Sequence, residues 1–320
     1  MSAIRQRFVE TNGVRLFVAE AGKGPLVLLL HGFPESWYSW RHQLLALAGA
    51  GYHAVAPDQR GYGESDAPEA LDAYDQVELA ADAAGLIDHF GAKDAAVVGH
   101  DWGAPVAWHT ALLHPERVRA VVGLSIPYGG RPPEPPLGIL RRRFADQFFY
   151  MLYFQQPGRA EAELEADIAR SLRAMFYSWS GDAPPEAWLS PKPRDAKFLE
   201  GMIDPKQLPA WFSAADLDYY VSRFRKSGFR GPLNWYRNFD RTWERTRALA
   251  GASVGQPALF VAGERDPGVL MSARGVERMK TYVPDLRGDV RIPSVGHWTQ
   301  QENPSALSRI LLEFLAGLTK

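Results

Sequence analysis

Seven short runs along the 320-residue chain are apolar enough to be strands, and several are apolar continuously rather than at alternate positions. They are RLFVAEAG (15–22), PLVLLLHG (25–32), HAVAPD (53–58), DAAVVGHD (94–101), VRAVVGLSIP (118–127), PALFVAGERD (257–266) and GDVRIPSVGH (288–297). Continuous apolarity is what a strand covered on both faces requires. Helical periodicity fills the intervals. In DQVELAADAAGLIDHF, Leu79, Ala83, Leu86, Ile87 and Phe90 share a face, and Asp75 with Glu78 reads as an N-cap and its capping-box partner. Near the C-terminus Asn303 reads as an N-cap and Pro304 as first turn, followed by Leu307, Ile310, Leu311, Phe314, Leu315 and Leu318 at helical spacing. Strand alternating with helix predicts the α/β class with a mostly parallel, doubly wound sheet.

The alternation stops near residue 128 and resumes near 255. Between these points the periodicity is helical: Leu164, Ile168, Leu172, Met175 and Phe176 form one stripe, with acids in its first half and Arg170 and Arg173 in its second, as the helix dipole favours. Pro-rich stretches at 127–138 and 181–195 break the segment up. The reading is a core domain made of 1–127 and 255–320, with a helical lid, 128–254, inserted over the carboxyl ends of the strands, where open α/β sheets bind ligands.

Composition narrows the function classes. With 36 basic and 37 acidic residues the formal charge is −1, so no bulk field recruits nucleic acid or an acidic membrane surface. There is no cysteine, which removes thiolate nucleophiles, thiolate metal sites and disulfides, and fits a reducing compartment. The start, MSAIRQRFVETNG, lacks the apolar run of a signal peptide, and no later run approaches a membrane span; the expected location is the cytoplasm. An apolar content of 46% fills a sizeable core, and 10 Trp, 12 Tyr and 16 Phe suit an aromatic-lined cavity as well as they suit a large core.

Candidate chemistry centres on VVGHDWGAPVAWH (97–109). Its strand-then-helix pattern around Gly99-His100-Asp101-Trp102-Gly103 has the frame of a nucleophile elbow, usually Gly-x-Ser-x-Gly, with Asp in the middle. A carboxylate at a helix N-terminus stays ionised and needs no base to deprotonate it. It can displace a leaving group at saturated carbon, and the resulting ester is then open to attack by water at its carbonyl. The competing reading is an Asp that only caps the following helix. Asp266 and His297 decide between them: each follows a strand-like run, and the order nucleophile, acid, His is that of α/β-hydrolases. His297 is expected to activate water and Asp266 to orient it, with Glu264 as a less favourably placed rival acid. Backbone N–H groups of Phe33 and Trp102 are the expected oxyanion hole. His42, His53, His89, His109 and His114 show no metal-ligand spacing, and His100 is expected to pack beneath the elbow. No phosphate-binding Gly-rich loop followed by Lys is present, so neither metal nor cofactor is expected.

The stretches HGFPESWYSWRHQ (31–43), PDQRGYGESDAP (57–68), GHDWGAPVAW (99–108), LYFQQPGRAEAELE (152–165), KSGFRGPLNWYRN (226–238) and GHWTQQENP (296–304) together resemble soluble epoxide hydrolases of the α/β-hydrolase superfamily, hydrolase domain only. The resemblance implies conversion of small apolar epoxides and water to vicinal diols. It also implies two lid tyrosines that hydrogen-bond the epoxide oxygen, carried by motif to Tyr153 and Tyr236. A phenol, protonated at pH 7, suits the alkoxide that an opening epoxide develops. A haloalkane or haloacid dehalogenase shares the fold and the Asp-His-Asp set but needs N–H donors for halide; Trp102 supplies one, and Phe33 stands where some dehalogenases carry Asn. A catalytically silent ligand receptor on the same fold is the alternative from another class. A homodimer is compatible with the sequence.

Overall fold

The structure, a computed structural model, describes residues 3–318. Its framework is one eight-stranded sheet in the order β1-β2-β4-β3-β5-β6-β7-β8. The strands are β1 (Arg5–Thr11), β2 (Val14–Gly22), β3 (Leu26–Leu30), β4 (His53–Pro57), β5 (Ala95–His100), β6 (Val118–Leu124), β7 (Ala258–Gly263) and β8 (Leu286–Ile292). β1 and β2 pair antiparallel, as do β2 and β4; every other neighbouring pair is parallel. Each of the seven apolar runs overlaps a strand. β1 has no counterpart among them because, as an edge strand, it buries only Val9.

Continuous apolarity has the expected cause. Leu28, Leu30, Val97 and Val121 enter the core on one face of the sheet, while Val27, Leu29, Val98 and Val122 enter a second core on the other. Consecutive residues of a strand point to opposite faces, so covering both faces demands an apolar residue at every position.

Two helix readings need correction. Asp75 caps the helix Gln76–His89 by accepting from Val77 N and Glu78 N, but the Glu78 side chain does not close a capping box. It turns to Arg245 at 2.7 Å and to Asn12 instead. The apolar stripe from Leu164 to Phe176 is split into two helices, Arg159–Ala166 and Ile168–Ser178. Asp167 breaks it, because its side chain accepts from Arg170 N and so caps the second helix. The C-terminal helix, Pro304–Ala316, is capped as expected, with Asn303 accepting from Ala306 N at 3.1 Å.

All residues between β6 and β7 that form regular structure are helical apart from one isolated bridge. Tyr150, Trp179 and Tyr236 from this segment share one cavity with Asp101 and His297, which follow the carboxyl ends of β5 and β8. No helix among the described residues is long and apolar enough to cross a membrane.

Candidate active site

The elbow is made by steric exclusion. A Cβ on Gly99 would meet the carbonyl of Gly103, and one on Gly103 would meet the carbonyl of Leu30, so the β5-to-helix turn closes only with glycine at both positions. Asp101 sits at the apex with φ +49°. A non-glycine residue held in this left-handed region costs on the order of 1–3 kcal/mol, a cost concentrated at functional sites. Gly32 is equally constrained, because a side chain there would run into Asp101. That close approach lets Phe33 N donate to Asp101 Oδ1 at 2.8 Å. The Phe33–Pro34 bond is cis.

His297 Nε2 lies 3.6 Å from Asp101 Oδ2, and its Nδ1 donates to Asp266 Oδ1 at 3.0 Å. Asp266 in turn caps the short helix Pro267–Met271, accepting from Gly268 N at 2.8 Å. Burial would raise the Asp266 pKa, but the charge and hydrogen bond of His297 outweigh it and hold the carboxyl below its usual range. Burial opposes a charge on His297 too, yet Asp266 and Asp101 together raise the imidazole well above its ordinary value. Glu264 is exposed and accepts from Ser294 N, which removes it from the site.

Trp102 precedes the helix Gly103–Leu113 with helical dihedrals, so its N–H is among those a helix start leaves without an intrahelical partner. Its indole packs edge-on to Tyr236, 4.9 Å between centroids. Tyr236 is buried in the helix Arg230–Arg237 and lines the Asp101 cavity. Burial, then the Asp101 charge, raises its phenol pKa well above the ordinary value.

Tyr153 is not in this cavity, which corrects the placement its motif implied. Its hydroxyl donates to Glu163 Oε2 at 2.6 Å, Arg159 lies 4.3 Å over its ring, and it lines a separate groove with Phe144 and Phe149. The residue that faces Asp101 is Tyr150, one turn earlier on the helix Tyr150–Tyr153, with its ring 6.0 Å from that of Tyr236. Burial first, then the charges of Asp101 and Asp266, pushes the Tyr150 phenol up strongly. The available signal was the Tyr-x-x-Tyr spacing, which offers two phenols one turn apart, and a Glu ten residues on that can take only one.

The cavity is about 40 Å³ and is walled by Phe33, Ile126, Trp179, Pro267 and Gly268 around the polar groups. Beneath it His100 joins Glu35 at 2.7 Å and the His297 carbonyl at 2.8 Å, while Gln300 donates to Glu35 at 2.6 Å. His100 is therefore part of a buried polar network rather than mere packing. His31 is also buried; Gln59 N donates to its Nε2 at 3.0 Å, and burial lowers its pKa to about 4. None of the five scattered histidines lines the cavity. No cluster of His, Cys, Asp and Glu among the described residues could hold a metal ion.

Comparison with known proteins shows the family. The α/β-hydrolase fold family matches residues 25–304. Epoxide hydrolase A of Mycobacterium tuberculosis is 50% identical over 99% of both chains. Among solved structures, an epoxide hydrolase from an endophytic Streptomyces superposes with TM-score 0.96 at 44% identity, covering 99% of this chain and 96% of that one. Epoxide hydrolase A from Mycobacterium thermoresistibile superposes with TM-score 0.92 at 49% identity, covering 98% and 99%.

Proposed function

The chain belongs to the epoxide hydrolases of the α/β-hydrolase fold, and we propose that it opens epoxides in two steps through an alkyl ester on Asp101. In the first step the Asp101 carboxylate attacks a ring carbon. The C–O bond of the ring breaks, and its oxygen takes a proton from Tyr150 or Tyr236. Both phenols face the carboxylate, and both are held protonated by burial and by its charge. In the second step water, deprotonated by His297, attacks the ester carbonyl carbon. Phe33 N–H and Trp102 N–H stabilise the oxyanion, and collapse releases the diol. Regenerating the carboxylate liberates one proton, which restores the phenol.

Alkylation also prepares the base. The Asp101 charge, 3.6 Å away, helps raise the His297 pKa in the resting enzyme. Esterification removes that charge, so the imidazole pKa falls and His297 becomes available to accept a proton. Asp266 remains to hold the Nδ1–H tautomer.

The observation that carries this reading is the pairing of a carboxylate nucleophile with two phenols across one cavity. An opening epoxide needs a proton, whereas a departing halide needs only N–H donors. We read residues 128–254 as the lid that supplies the phenols, and the absence of cysteine as a sign of a reducing, cytoplasmic setting. The test is turnover of styrene oxide and of a 1-haloalkane in parallel, with mass spectrometry of His297→Gln after exposure to the epoxide. Diol without halide, and a variant mass increased by one substrate, are expected. Halide without diol, or a folded His297→Gln that forms no adduct, would overturn the mechanism.

A further inference from the structure

Glu302 has no part in the chemistry above, yet its carboxylate accepts three backbone N–H groups. Oε2 takes Gly296 N at 2.9 Å and Gly181 N at 2.8 Å, and Oε1 takes Trp298 N at 2.9 Å. Gly296 and Trp298 flank His297. Gly181 belongs to the helical segment between β6 and β7, two residues beyond Trp179, whose ring lines the cavity and whose carbonyl accepts His297 N at 2.8 Å. The seam has no room for a side chain: a Cβ on Gly296 would meet Gly181 N, and one on Gly181 would meet the Ser294 carbonyl. Trp298 adds a stitch, its indole donating to Phe176 O at 2.8 Å.

We propose that Glu302 is a positioning residue for the base, fixing the 296–298 loop so that His297 spans Asp101 and Asp266, and making that placement depend on docking of residues 179–181. The proposal rests on His297 acting in the second step. When ionised, the carboxylate suits the task because it offers only acceptors and forms charge-assisted bonds to N–H groups; burial outweighs the three bonds and raises its pKa from 4.5 to about 7. In Glu302→Gln the amide NH2 must face at least one backbone N–H, leaving that donor without its partner and the loop free to shift. A misplacement of about 1 Å at a reacting group lowers a rate by up to about a hundredfold.

Only the step that uses His297 should suffer. With styrene oxide in single turnover, Glu302→Gln is expected to alkylate within about threefold of the parent and to hydrolyse the ester on the order of ten- to a hundredfold more slowly. Alkyl-enzyme then accumulates, and kcat and KM fall together while kcat/KM holds. Loss of folded protein alone would lower kcat and leave KM unchanged. Glu302→Asp, which keeps both oxygens, should recover part of the hydrolysis rate, and it carries the same test if the Gln variant does not fold. Equal slowing of both steps, or normal hydrolysis in a folded variant, overturns the proposal. His297→Gln is run alongside: if it accumulates no alkyl-enzyme, the assignment of the base itself has failed, whereas accumulation there but not in Glu302→Gln removes Glu302 alone.

Discussion

At the scale of single residues, Tyr150 and Tyr153 separate what chain order reveals from what only packing decides. Asp101, Asp266 and His297 are legible because each ends a recognisable strand-like run in a diagnostic order. The tyrosine is not, since both phenols lie on the four-residue helix Tyr150–Tyr153 and its rotation is set by distant partners. Glu163 accepts from Tyr153 OH and also from Phe198 N and Leu199 N, which holds Tyr153 away from the Asp101 cavity and leaves Tyr150 to line it. Tyr150→Phe and Tyr236→Phe are each expected to slow alkylation by roughly 10²-fold, the scale of one lost proton donor. Tyr153→Phe should alkylate within about twofold of the parent while losing on the order of 1–2 kcal/mol of stability through its charge-assisted hydrogen bond. Stopped-flow alkylation rates and urea midpoints on the three variants check this. A Tyr153→Phe protein as slow as Tyr236→Phe would return the motif-based assignment to favour.

Among the elements, the turn from β5 into the helix Gly103–Leu113 was readable because it depends on local sterics that glycine announces. The edge strand β1 was not readable, since its seven residues bury only Val9 and show no alternation. The break at Asp167 was hidden for a different reason: apolar residues keep helical spacing across it, and only a side-chain cap interrupts the backbone. Glycines differ in what they are for, and two substitutions expose the difference. Gly103→Ala places a Cβ against the Leu30 carbonyl, so it should cost about 2 kcal/mol or more through forced backbone displacement and should abolish turnover by moving Asp101. Gly49 ends the helix Arg41–Gly49 with nothing near its missing Cβ. Gly49→Ala should therefore stabilise by about 0.5–1 kcal/mol, through the smaller entropy of the unfolded chain and better helix propensity. Denaturant midpoints decide it; equal effects at the two positions would mean the elbow is not sterically closed.

For the whole molecule, alternation implied a parallel sheet but not its order. β3 precedes β4 in the chain yet lies between β4 and β5, an arrangement fixed by crossover geometry rather than by any local pattern. Nor could the chain alone show how the helical segment is fastened to the sheet. Glu64 is bridged by Arg223 and Lys226 of the helix Ala214–Ser227, Arg41 pairs with Asp216 at 3.0 Å, and Asp75 takes both Arg241 and Arg245. Beneath this seam Asp58 is buried, accepting from Trp37 N at 2.9 Å and Glu64 N at 3.1 Å. Burial outweighs those two bonds and raises its pKa from 3.8 to about 6. The folded state thus holds the proton more tightly than the unfolded one. The contribution of Asp58 to stability is greatest below pH 4 and declines by about 3 kcal/mol as pH rises through 6. His31, lowered to about 4 by burial, titrates with the opposite sign, losing stability as pH falls from 6.5 toward 4. The parent curve mixes the two, so the informative quantity is the difference between the parent and Asp58→Asn. Its penalty should be largest near pH 4 and shrink by about 3 kcal/mol by pH 7, as measured by urea unfolding across that range. A penalty constant with pH would mean that folding leaves the Asp58 pKa unshifted.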